Sequence, residues 1–262
     1  MEDTISVLTD FRAFLLIAFR ISGLAMTAPF FSNASIPRQI KVGLTIALAV
    51  VVFPTVDRSG LVVPDNTAGY LAAVLAEIAV GAVIGLVASL IFAAIQLAGF
   101  IAARQVGLAI AHIYDPFTRR QTSIVSQVYF FFALTIFLMA GGHHMILRTV
   151  VTSFNVVPLA GFSPGRALGV EISTNMAGQM FAAAIRLSAP AVITLMMSTM
   201  VMAIIARTVP EMNIFNIGFA VRLGLGLGVL TLMMPALGAA FQVLFSNLGD
   251  NLRVLLDTMR AP

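Results

Sequence analysis

Residues 78–103 carry no charged side chain, and neither do residues 121–147 or 223–249. Such stretches leave few ways to fold. A helix of about 20 apolar residues crosses the ~30 Å hydrocarbon core of a bilayer and satisfies every backbone polar group internally. Barrel strands would need alternating polar residues over about ten positions, and these runs are too long and lack the alternation. The whole chain is 60% hydrophobic and 10% charged, with a mean hydropathy of +1.01. Soluble domains are nearer ~45–50% apolar and ~25% charged. That balance excludes a disordered chain, a coiled coil, a collagen-like fibre and a soluble enzyme. We therefore expect an all-α, hydrophobic, membrane-associated protein built from kinked helical hairpins.

Apolar runs predict helices over 11–28, 42–56, 70–103, 123–140, 175–206 and 214–246. The connections are then 29–41, 57–69, 104–122, 141–174 and 207–213, with a polar tail from Asn247. The second run is short and stopped by Pro54, and the third is longer than one crossing needs. Pro190, Pro235 and the glycines 218, 224, 226 and 228 are expected to kink helices and to admit close neighbours. No repeat or low-complexity linker interrupts residues 1–262, which read as a single domain. The acidic start, Met1-Glu2-Asp3, is unlike the basic opening of a cleaved signal, so the first apolar segment is expected to stay attached.

Fifteen basic residues face eleven acidic ones, and all but Lys41 of the basic set are arginine. They are scattered singly apart from Arg119-Arg120, and the aromatics sit inside apolar runs, so a nucleic-acid partner is not expected. Basic residues in the first, third and fifth connections place those loops in the cytoplasm and the N-terminus outside. Cysteine is absent, which excludes disulfides and thiolate chemistry.

No catalytic triad, HExxH or Walker pattern is present, and no cofactor is expected. His143-His144 has no Cys or carboxylate nearby to complete a metal shell and reads as helix-end or interface packing. Gly224, Gly226 and Gly228 sit within an apolar run with no preceding strand, which fits helix contact rather than a dinucleotide loop. Arg20, Glu77, Arg186 and Arg222 lie within apolar runs, where an unpaired charge costs several kcal/mol. They read as paired, snorkelling or seam-facing groups; one carboxylate among three arginines makes a poor proton relay. The methionines 196, 197, 200 and 202 suit irregular helix packing. The segment 104–122 mixes apolar and polar side chains around the turn signal Asp115-Pro116. Its apolar content suits an interface or a pore rather than a solvated loop.

Several motifs, in order, carry a resemblance. They are Phe14-Leu15 with Arg20, Thr27-Ala28-Pro29-Phe30-Phe31, and Ile36-Pro37 followed by Arg38-Gln39-Ile40-Lys41-Val42-Gly43-Leu44. Next come residues 92–99, residues 106–116, Gly142-His143-His144 with 153–158, and residues 207–219, which contain Arg207, Pro210, Asn213, Phe215 and Gly218. From 11 to 251 the chain resembles FliR, the R-type subunit of the flagellar type III export gate. Glu211 stands where the family usually has Gln, and Ala220-Val221-Arg222 replaces its Pro-x-Lys ending.

The resemblance implies a fold similar to a fusion of the P- and Q-type gate subunits. It implies assembly with those subunits, and with the B- and A-type export apparatus proteins, in the bacterial inner membrane within the flagellar basal body. Unfolded flagellar substrates and membrane lipid are the other expected partners, and catalysis is not expected. It further implies that Gly107, Leu108, Ala109, Ile110, Ala111, Ile113, Tyr114, Asp115, Pro116 and Phe117, within 104–122, plug the closed pore. Arg20, Pro29, Pro37, Arg38, Lys41, Gly142, His143, Arg207, Pro210, Asn213, Phe215 and Gly218 are the implied assembly and packing positions. A virulence injectisome gate subunit shares this mechanism, and a small-solute permease is the remaining rival.

Overall fold

The computed structural model describes residues 2–29, 31, 36–56, 66–107, 123–161, 166–208 and 214–260, and every regular element among them is helical. Helix α1 spans Glu2–Thr27, α2 Arg38–Val52, α3 Thr67–Val106 and α4 Ile124–Met139. Helix α5 spans Gly142–Val156, α6 Arg166–Val170, α7 Ala177–Thr208 and α8 Ile214–Arg260. A 3-10 turn, Phe53–Thr55, extends α2 through Pro54, and a π-helical turn, Glu171–Met176, joins α6 to α7. Among the described residues, Arg38–Thr55, Thr67–Val106, Leu168–Thr208 and Ile217–Met259 are long and apolar enough to cross a membrane. The 40 residues of α3 amount to about 60 Å of helix measured along its path, twice what one crossing requires.

Two expectations fail for one reason. The connection expected at 141–174 contains α5, and the polar tail expected from Asn247 is the continuous end of α8. Both segments are amphipathic, so their average polarity hides a buried stripe. In α5 the stripe is Ile146, Val150, Ser153 and Phe154. In the end of α8 it is Phe245, Leu248, Leu252, Leu255 and Met259, spaced three or four apart, with Asp250, Arg253 and Asp257 exposed between them.

The chain packs as two compact units. The first comprises Met1–Ile91, Gly141–Gly178 and Phe245–Pro262. Here α1 and α3 cross at very short range. A Cβ at Gly81 would collide with the Arg20 carbonyl, one at Gly23 with that of Ile78, and one at Gly85 with the Thr27 hydroxyl. Gly81 and Gly85 form a small-xxx-small face, the arrangement that lets membrane helices bring their backbones together. The Thr27 hydroxyl donates to the Ala82 carbonyl across this seam at 3.0 Å. Earlier in α1, Phe14 meets Phe53 edge to face at 5.9 Å.

The second unit comprises Phe92–Ala140 and Gln179–Leu244. Ser123 caps α4 by accepting the Val125 amide at 3.2 Å. Phe92 sits edge-on to Phe137 at 5.4 Å, and Tyr129 to Phe241 at 6.4 Å. Gly99 lies against the Ser126 backbone, and Gly226 against the Val106 side chain. Of the glycine cluster expected to mediate helix contact, Gly226 does so tightly, whereas a Cβ at Gly224 or Gly228 would meet no described atom within 4 Å. Pro190 and Pro235 are carried inside α7 and α8.

Candidate functional site

The centre of the first unit is polar. Arg20 and Glu77, each with 0% exposure, form an ion pair in which Arg20 Nε donates to Glu77 Oε2 at 2.5 Å. Arg20 Nη1 donates to Ser153 Oγ at 3.1 Å, and Nη2 to the Val157 carbonyl at 3.0 Å. The guanidinium also lies over the Phe154 ring, 4.2 Å from its centroid. The second carboxylate oxygen, Glu77 Oε1, accepts the Ala160 amide at 2.9 Å. That amide belongs to a residue at φ +60°, a left-handed conformation an alanine adopts at a cost. The carboxylate thus holds the turn that follows α5, while the guanidinium ties α1 to Ser153 of α5 and to the Val157 carbonyl after it.

Chemically this cluster is a closed clasp. Both carboxylate oxygens and all three guanidinium nitrogens have partners. The Ser153 hydroxyl in turn donates to the Val150 carbonyl at 2.6 Å. Full burial of Glu77, with a bond to each of its oxygens, suits a structural pair better than a proton carrier. Pairing is thus the outcome for two of the charges that the sequence buries in apolar runs. Arg222, in the second unit, donates to Thr199 Oγ1 through Nη2 at 3.1 Å. Arg186 is exposed.

The expected plug is described only at its first residue. Gly107 ends α3 at φ +89°, donates its amide to the Arg104 carbonyl at 3.2 Å, and faces the Phe219 ring and the Arg222 side chain. Leu108, Ala109, Ile110, Ala111, Ile113, Tyr114, Asp115, Pro116 and Phe117 lie outside the described residues, as do Pro210 and Asn213.

The expected assembly positions are dispersed, and the clasp takes in only Arg20. Pro29 follows α1 in a turn, while Pro37 caps α2, with Arg38 exposed and Lys41 half-buried. Gly142 is buried at the start of α5, after Gly141 at φ +71°. His143 stacks on His144 at 4.1 Å, and its Nδ1 is buried without a hydrogen-bond partner among the described residues. Arg207 is exposed in the last turn of α7, Phe215 lies in the first turn of α8, and Gly218 is half-buried beside Met202. Sequence reasoning missed Gly23, Gly81 and Gly85, and it carried Ser153 only within the motif 153–158, with no role assigned. The spacing Gly81-x-x-x-Gly85 is the available signal for the glycines, whereas the motif at 153–158 does not name Arg20 as the partner of Ser153.

Residues 11–248 match the family model described as bacterial export proteins, family 1. The chain is similar to flagellar biosynthetic protein FliR of Bacillus subtilis (strain 168), with 30% identity over 96% of this chain and 97% of the relative. It is 27% identical to the FliR of Escherichia coli (strain K12), over 92% of this chain and 91% of that one. To the FliR of Aquifex aeolicus (strain VF5) it is 26% identical, over 95% of each chain. With matches that run nearly end to end and helices of spanning length, the chain belongs to the FliR family of bacterial export proteins and is a membrane component of the flagellar export apparatus.

Proposed function

We propose that this chain is the non-enzymatic R-type subunit of the flagellar export gate. It assembles with P- and Q-type subunits, and works beside the B- and A-type proteins, as one subunit domain over residues 1–262. The assembly forms the entrance pore for unfolded flagellar proteins in the bacterial inner membrane, and the segment 104–122 plugs the pore when it is closed.

The observation that carries this reading is how little of the apolar surface the chain buries by itself. Only 11% of the most apolar window is buried in each of Leu168–Thr208 and Ile217–Met259, against 50% in Thr67–Val106. Exposed Ile193, Met197, Met200 and Ile204 on α7, and Leu225, Leu227 and Leu232 on α8, need apolar neighbours. Lipid covers such faces as well as protein does, and sister subunits with the same hydropathy provide the alternative. Gly107, left-handed at the end of α3, and Ser123, which caps α4, bound the stretch to which we assign the plug.

Deleting residues 107–117 from a gate assembled with P- and Q-type subunits is expected to raise ion leakage across the membrane. Unchanged conductance in a complex of normal composition overturns the plug. Co-purification with those subunits from detergent tests the assembly, and a stable monomer that takes up small solutes in liposomes would favour a permease instead.

A further inference from the structure

The first unit contains a cavity of about 410 Å³ that the clasp does not use. Its walls are Ile21 and Leu24 of α1, Leu48 and Val52 of α2, and Leu147 and Val151 of α5. Ile21 and Leu24 are almost wholly buried, so they form a floor, while Arg148 and His144 are exposed at the rim. Of the six α5 residues that line it, His144, Leu147, Arg148 and Val151 recur at helical spacing, with Val150 and Thr152 beside them.

Charge is what distinguishes this cavity from an ordinary gap between helices. No carboxylate lines it, and Arg148 has no ion pair among the described residues. An adjoining cleft that shares Ile21, Leu24 and Leu48 is lined by Lys41, again without an acidic residue. An arginine with no ion-pair partner among the described residues, beside an apolar hollow in a membrane protein, suits an anion that carries its own hydrocarbon. The volume falls within the range of small-ligand sites, enough for part of an acyl chain. We propose that this cavity is a binding site for an anionic phospholipid. One acyl chain enters between α1, α2 and α5, and the phosphate rests on Arg148, with His144 one helical turn away as a second donor. A bound lipid of this kind would brace α2, whose outward face is largely exposed, against α1 and α5.

Native mass spectrometry of the full-length chain tests the site. The protein is released from detergent with phosphatidylglycerol or with phosphatidylcholine of identical acyl chains. About fivefold greater retention of phosphatidylglycerol is expected, the ratio that one basic contact contributes. Arg148→Gln should abolish that preference, Arg148→Lys should keep most of it, and the exposed Arg253→Gln should leave it unchanged. Leu48→Trp, which fills the cavity without altering charge, should lower retention of both lipids alike. Equal retention of the two lipids by the unaltered chain overturns the proposal, as does a preference that survives Arg148→Gln. Replacement of phospholipid by equimolar oleate also overturns it, because the occupant would then be a single-chain carboxylate.

Discussion

Arg20 and Glu77 are 57 residues apart in sequence and meet as an ion pair with no solvent exposure. Burying either charge alone would cost several kcal/mol, so each residue is tolerable only because the other is there. The pair sits where Gly81 lets α1 lie directly on α3, which ties the short helix crossing and the buried charges into one construction.

Removing one member should therefore be worse than removing both. Arg20→Met or Glu77→Leu alone is expected to destabilise the chain by ~3–5 kcal/mol, whereas the double variant should recover much of that loss. Equilibrium unfolding in mixed detergent micelles measures the cycle. Additive losses would mean that the two side chains are energetically independent.

Close approach makes Gly81 intolerant of any side chain. Gly81→Val should cost ~1–3 kcal/mol or more, because the colliding atom is the Arg20 backbone oxygen and cannot rotate away. Gly43, in α2, has no described atom within 4 Å of its would-be Cβ, so Gly43→Ala should be neutral or stabilise by up to ~1 kcal/mol. Thermal aggregation midpoints of the two variants in one detergent would reveal the contrast.

The last turns of α8 should behave as core. Leu252, 1% exposed, loses its packing on Leu252→Ala, at an expected ~2–5 kcal/mol. Exposed Asp257→Ala, in the same helix end, should stay within ~0.5 kcal/mol. Limited proteolysis of the C-terminal segment would separate them, since a true polar tail would be cut equally in both.

Gly107 tests the boundary of the central segment. Its φ of +89° penalises any β-carbon, so Gly107→Ala is expected to cost ~1–2 kcal/mol although the site has room for a methyl group. Hydrogen exchange at Ala102 and Val106 should report the fraying of the α3 end. Protection identical to that of the unaltered chain would show that the left-handed turn is dispensable.

Most of the helices were legible because apolar runs of crossing length are a property of consecutive residues. The α5 helix and the end of α8 were not, since their stripes are buried by partners rather than revealed by average composition. The charges within apolar runs could be recognised as requiring partners, but the partners themselves could not be named. Ser153 illustrates the limit: a hydroxyl in a mixed segment, it becomes an acceptor for Arg20 only because α5 packs against α1.

The order of residues alone determined that this chain partitions into a membrane, that it is helical, and that its motifs are those of an export protein. The first two follow from local hydropathy, and the third from a resemblance of short motifs, in order, to those of a known family. Tertiary structure decided which buried charges neutralise each other, which glycines are obligatory, and where an apolar cavity opens beside Arg148. Those outcomes depend on the separation and rotation of helices tens of residues apart. A few ångströms at a crossing determine whether two charges meet, and no local pattern encodes that distance.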